Sequence, residues 1–273
     1  QSLLPKIVEG NLTTALALEE SSRHSPFSIS TQAKKNGDNY EITGEKTFVM
    51  DGNSATLLIV AARTDGNVDD EPGITLFLVD PSADGLAITK TSMVDSRNSA
   101  QIKFDNVVVS SSEILGELNN GSGLLENVLD RAQIAISAEM LGNARQAFDI
   151  TLEYLKERKQ FGAVIGTFQA LQHRAAEMYS ELELTKSSVI AACNAVDDNS
   201  NDLKRIASLA KFKAGETNYL VTNEAVQMHG GVGVTDEYDV GLYLKRARVT
   251  EQIFGNSEYH IDRYATLSDY YTD

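Results

Sequence analysis

The 273-residue sequence has a single cysteine, Cys193, which excludes an intrachain disulfide and any metal site built from several thiolates. The expectation is a reducing, cytoplasmic setting, with Cys193 as a small apolar helix residue. Basic residues are scarce. Against 39 Asp and Glu there are 24 Lys and Arg, and the net charge of −15 argues against nucleic acid or an anionic membrane as partner. Long apolar runs are missing too: the longest, Ala55 to Ala62 with Thr56 inside it, falls far short of the ~20 residues that cross a bilayer. No basic-then-apolar leader opens the chain, so a soluble protein is expected. The four histidines (His24, His173, His229, His260) are scattered without a His-Glu-x-x-His or comparable pair, so no metal site is expected.

Proline is absent after Pro81, which predicts β structure first and long helices afterwards. Phe27 to Ala33 and Tyr40 to Met50 flank Lys35-Asn36-Gly37-Asp38, and the Asn-Gly step supplies the positive φ angles of a hairpin turn. Further strands are predicted at Thr56 to Ala62, Ile74 to Val79, Leu86 to Thr91 and Ser99 to Phe104, in a small antiparallel sheet or barrel. Beyond Gly121-Ser122-Gly123 the period becomes helical. One stripe runs through Leu125, Leu129, Ala132, Ile136, Met140, Ala144, Phe148, Leu152 and Leu155, ending near Lys159. A second (Phe168, Leu171, Ala175, Met178, Leu182, Val189, Ala192) ends at the polar loop 197–201. A third (Ile206, Leu209, Phe212, Tyr219, Val226) stops at Gly230-Gly231, and shorter helices cover Tyr238 to Thr250 and Glu258 to Leu267. The fold class is therefore α+β, an antiparallel sheet domain followed by a four- or five-helix bundle.

Gly231-Val232-Gly233 follows a helix rather than a strand and lacks a third glycine, which argues against a Rossmann site. More informative are Arg158-Lys159-Gln160-Phe161-Gly162 and Gln227-Met228-His229-Gly230-Gly231-Val232-Gly233, two helix ends that combine polar side chains with exposed backbone. Such places can hold an anion or a planar ring; the plainer alternative is a basic last turn with an ordinary glycine cap.

These two segments, together with Tyr154-Leu155-Lys156-Glu157 and Ile165-Gly166-Thr167-Phe168-Gln169-Ala170, resemble in order and spacing the C-terminal helical domain of the acyl-CoA dehydrogenases. Gly44-Glu45-Lys46-Thr47-Phe48-Val49-Met50-Asp51-Gly52 and Phe104-Asp105-Asn106-Val107-Val108-Val109 resemble that family's middle β-domain. The resemblance implies a β-domain at residues 11–117 and a helical domain at 118–273. Residues 1–10 resemble the last helix of the family's N-terminal helical domain, so the rest of that domain is expected to be missing from this sequence.

The resemblance further implies FAD, an acyl-CoA substrate, an electron-transfer flavoprotein or similar acceptor, and a homo-oligomer or a heterotetramer with a paralogous subunit. Arg158 and Gln160 would approach the pyrophosphate of FAD, with Phe161 packed beside it. Gln169, Gln227, Gly230 and Gly231 would line its adenosine and ribityl portions, with Ser257 near the other end. Leu16 to Ser25 and Phe48, Val49 and Met50 match stretches that contact the flavin ring. Family chemistry removes the acyl α-proton with a carboxylate while a β-hydride passes to the flavin, giving a 2-enoyl-CoA. Here the residues matching the two usual locations of that carboxylate are Gly255 and Ala132, neither of which can accept a proton. Glu139, seven residues and two turns beyond Ala132 on one face, is the candidate base. Glu19-Glu20-Ser21, Met50 and Gln133 also depart from the family pattern. With Phe254-Gly255-Asn256-Ser257, the chain looks most similar to small subunits of heteromeric acyl-CoA dehydrogenases of the pimeloyl-CoA type. The leading expectation is α,β-desaturation of an acyl-CoA; the alternatives are a silent, FAD-sharing partner subunit or a related flavin oxidase or monooxygenase.

Overall fold

The computed structural model describes residues 3–270, so Gln1 and Ser2 of the predicted terminal helix lie outside the described residues. The chain divides into two compact units, one through Val128 and one from Leu129.

In the first unit, a short helix α1 (Leu4–Val8) precedes eight strands: β1 (Thr14–Ala17), β2 (Gln32–Asn36), β3 (Asn39–Met50), β4 (Leu57–Arg63), β5 (Ile74–Val79), β6 (Leu86–Ser92), β7 (Asn98–Ser110) and β8 (Ile114–Leu115). They form one sheet in the order β6-β7-β3-β2-β4-β5-β8, with β1 added on β4. The pairings are antiparallel except β1 with β4 and the single contact of β2 with β4. The hairpin forms where expected, but its first strand starts at Gln32 rather than Phe27. The segment before it is instead held by side chains, with Ser30 and Thr31 donating to Glu20. The two turn residues are Gly37 and Asp38, and only Gly37 has a positive φ (60°), the demand of a type II′ hairpin. Tyr40, Ile42, Val60, Phe77, Ile102 and Phe104 lead the core, and alternation along each strand places them on one face.

The second unit takes up helix α2 (Gly121–Glu157) from Leu129 onward. A tiny hairpin follows, β9 (Lys159–Gln160) with β10 (Ala163–Val164), then α3 (Gln169–Asp197), α4 (Leu203–His229), α5 (Val240–Gln252) and α6 (Ser257–Leu267). The expected stripes of α2 and α3 are buried or half-buried, except Phe168, which is exposed just ahead of α3. That of α4 is not: Leu209 and Tyr219 are among the exposed residues, and the buried face is Ala207, Ala210, Lys211, Ala214, Asn218 and Ala225. The reason is close approach. α4 packs against α3, α5 and α6 at once, and small side chains let three neighbours come near while the large ones are pushed to the flanks.

Candidate functional site

Two backbone irregularities in the first unit shape its candidate residues. Between Lys46 and Val49 the pairing of β3 with β7 slips by a bulge, and Phe48 there adopts a positive φ of 50°. A bulge re-aims a side chain out of the strand's alternation, and an aromatic residue held in this region is strained by ~1 kcal/mol or more. Val49 stays buried, whereas Phe48 and Met50 are half-buried. The segment matching the other ring-facing stretch is tied to the same place. Thr47 N–H donates to the Glu19 carbonyl at 2.8 Å, and the fully buried Lys46 donates from Nζ to the Leu18 carbonyl (3.0 Å) and to Glu20 Oε1 (2.7 Å). Burial pushes the Glu20 carboxyl up, but Lys46 and hydrogen bonds from Lys46, Ser30 and Thr31 outweigh it and hold the group at about 2. Burial in turn pushes Lys46 down to about 8 against the pull of Glu20. This unit thus brings residues 16–25 and 46–50 together.

In the second unit the candidates fall into two clusters. At the first, α2 ends and the β9–β10 hairpin turns through Phe161 and Gly162, both at positive φ (55° and 78°), a type I′ pair. Placing phenylalanine in such a turn costs ~1–2 kcal/mol, and the result is a ring 92% exposed, set edge-on against Phe168. Gln169 begins α3 beside it. Arg158 is exposed, and among the described residues only its backbone is bonded: its N–H to the Tyr154 carbonyl and its carbonyl to Ile165 N–H, each 2.9 Å. The Gln227–Gly231 segment at the end of α4 joins this cluster because Tyr154 stacks on His229 at 4.2 Å and donates to its carbonyl at 3.3 Å. Burial lowers the His229 imidazole below its ordinary range, and its Nδ1 bonds the Ala225 carbonyl at 2.7 Å. A Cβ added at Gly230 or Gly231 meets nothing within 4 Å, so the backbone there is open to a ligand. A cleft of about 240 Å³ lined by Val226, Gly233, Tyr238 and Leu242 lies alongside. An unengaged guanidinium, open glycine backbone and exposed aromatic edges form a donor set suited to a diphosphate with a planar ring.

Ser257 belongs to a different place. Its Oγ is 3.0 Å from where a Cβ on Gly215 would stand, and Met140 Cε is 3.7 Å from that same point. Along α2, the 17 steps from Met140 to Glu157 correspond to about 25 Å, so one chain does not bring Ser257 and Arg158 together. The two positions lacking a carboxylate are linked to each other: Gln133, next to Ala132, donates to the Phe254 carbonyl at 3.4 Å, next to Gly255. Gly255 has a φ of 99°, and a Cβ there would lie 2.5 Å from Tyr259 Cδ1 and 3.0 Å from His260 Nε2. Glu139 is on α2 but exposed, and it accepts from Arg246 Nε at 2.6 Å.

The family models match on both units: the acyl-CoA dehydrogenase middle domain over residues 15–107 and the C-terminal domain over residues 119–266. The chain belongs to the acyl-CoA dehydrogenase family. It is 33% identical to a short/branched chain specific acyl-CoA dehydrogenase of Bos taurus over 96% of its own length and 61% of the relative's. It is also 33% identical to a caffeyl-CoA reductase-Etf complex subunit of Acetobacterium woodii, covering 94% of this chain and 69% of that one. Among solved structures, an acyl-CoA dehydrogenase of Geobacillus kaustophilus superimposes with a TM-score of 0.93 at 31% identity, covering 98% of this chain and 72% of that one. The chain thus spans about three-fifths to seven-tenths of these relatives.

Among the buried charges of this acyl-CoA dehydrogenase chain, Lys46, Lys211 and Asp130, the last paired with the half-buried Arg263, escape a reading of the sequence. Only Lys46 leaves a signal, since Tyr40, Ile42 and Lys46 share one strand parity. Among the described residues no helix is long and apolar enough to cross a membrane, and no group of three potential ligands could hold a metal ion.

Proposed function

We propose that the chain is an FAD-dependent acyl-CoA dehydrogenase, or a subunit of one, that introduces a C2–C3 double bond into an acyl-CoA thioester. The observation that carries this reading is the cluster at the end of α2. An exposed Arg158 whose side chain has no partner among the described residues, Gln160, the turn-held Phe161, Gln169, Gln227 and the open Gly230-Gly231 backbone fit a dinucleotide's pyrophosphate and ring systems. Phe48, Val49, Met50 and residues 16–25 would receive the flavin ring, and Ser257 a more distant part of the cofactor. FAD, when bound, supplies the hydride acceptor.

The separation of Ser257 from Arg158 along α2 supports an oligomer in which the Arg158 cluster serves a neighbouring subunit's cofactor. A homo-oligomer and a heterotetramer with a paralogue both satisfy it. Since Gly255 and Ala132 cannot accept a proton, we assign the general base to Glu139, whose bond to Arg246 substrate would have to displace. The segment Phe254-Gly255-Asn256-Ser257, without a carboxylate, supports likeness to small subunits of heteromeric dehydrogenases of the pimeloyl-CoA type. An electron-transfer flavoprotein or similar acceptor would reoxidise the enzyme, and the one cysteine fits a cytoplasmic setting.

The test is anaerobic titration of the purified, flavin-loaded protein with acyl-CoA thioesters. Bleaching of the flavin absorbance is expected, and a protein that takes up no FAD contradicts the reading.

A further inference from the structure

Lys211 is 1% exposed, in the middle of the central helix α4. An ammonium so placed is costly to bury unless its donors are used. Its Nζ donates to the Glu251 carbonyl at 3.0 Å and to the Gly255 carbonyl at 2.8 Å. Glu251 lies in the last turn of α5, where backbone carbonyls lack helical partners, so a cation from another helix caps that end. Gly255 lies in the turn that leads into α6. One residue earlier, the Phe254 carbonyl is met by His260 Nε2 at 3.0 Å and Gln133 Nε2 at 3.4 Å. One helical turn along the same face of α4, Gly215 leaves room for Ser257 Oγ, which is 3.0 Å from where its Cβ would stand. Lys211 and Gly215 therefore form a single cradle, at i and i+4, for the segment 251–257.

We infer that Lys211 is the positioning residue of this segment, fixing the turn that sets Ser257 and the Gly255 backbone toward the bound cofactor. The inference rests on the flavin reading above. An amine is suited to the task because its several donors tolerate a non-helical geometry, and the charge it carries below about pH 7 strengthens both bonds to carbonyls.

The experiment pairs FAD titration of the full chain with hydrogen–deuterium exchange of peptides covering residues 251–260. Lys211→Met, which keeps the apolar stem and removes the donor, is expected to weaken FAD binding about tenfold or more, as loss of hydrogen bonds from a charged group does. It should also speed exchange in 251–260 while leaving the peptides of α3 unchanged. Lys211→Gln, with a neutral donor, should recover part of both. Arg158→Ala should weaken FAD without altering exchange in 251–260. If Lys211→Met does not fold, Gly215→Ala carries the test, since its Cβ displaces Ser257 with Lys211 intact, and the same loss of FAD affinity is expected. Wild-type FAD affinity in Lys211→Met, or in Gly215→Ala where that variant decides, overturns this inference alone. A wild-type chain that binds no FAD overturns the flavin reading and this inference with it.

Discussion

Lys46 Nζ and Glu20 Oε1, 2.7 Å apart, join strand β3 to the segment that precedes β2. The same carboxylate accepts from Ser30 N–H and Thr31 N–H, so one pair fixes the ends of residues 18–31, which include most of the stretch 16–25 proposed to face the flavin. Glu20→Gln leaves the ammonium of Lys46 buried without its counter-charge, and a loss of about 3–5 kcal/mol in unfolding free energy is expected. Chemical denaturation at neutral pH measures it, and a loss below 1 kcal/mol would contradict the role given to the pair.

The pH dependence follows from the direction of the shift. Glu20 titrates at about 2 in the folded chain against 4.5 as its ordinary value. Its contribution to stability is complete above 4.5 and is lost as pH falls from there toward 2. Comparing wild type with Glu20→Gln between pH 6 and pH 3 isolates this group from the other carboxylates, and the gap should narrow as the pH drops.

Lys211 predicts a slope of the same sign in a higher pH window. Burial holds it at about 7 instead of 10.5, so between these values the unfolded chain binds a proton that the folded chain does not. Stability relative to Lys211→Met should therefore be flat below pH 7 and rise between pH 7 and 10. A relative stability that stays flat over this range would show the ammonium to be retained in the fold.

Gly255 cannot be restored to a carboxylate without rebuilding its surroundings. Its φ of 99° disfavours any side chain, and a Cβ would strike Tyr259. Gly255→Ala is expected to destabilise the chain by about 1–3 kcal/mol, measured by thermal or chemical unfolding, and Gly255→Glu should not create activity. Glu139→Gln, by contrast, lies on an exposed face and should keep the fold and FAD while slowing substrate-driven flavin bleaching ~10²–10⁴-fold. Unchanged bleaching in this variant would remove Glu139 from the reaction.

Elements whose signals are local could be read from the sequence. Ile74 to Val79 is a strand at those residues, and α3 stops at the polar loop that follows Asp197. Strand β1 could not be read, because Thr-Ala-Leu-Ala carries little strand propensity and becomes a strand only by pairing in parallel with β4, some forty residues away. The buried face of α4 was hidden for a related reason: residue size marks a helix's core side only when the helix has one neighbour, and α4 has three. Of the candidate site, Arg158, Phe161 and the two glycines stood out by type and position at helix ends. The cradle of Lys211 and Gly215 did not, because its partners are backbone carbonyls forty or more residues away.

The central claim is that the Arg158 cluster binds FAD, and Arg158→Ala tests it most directly. The side chain is exposed and bonded to no other described residue, so its removal should leave the unfolding temperature unchanged. The measurement is the FAD dissociation constant of the purified variant beside that of wild type. The expected result is affinity weakened about tenfold or more at unaltered stability, and equal affinity for FAD in the two proteins would contradict the claim.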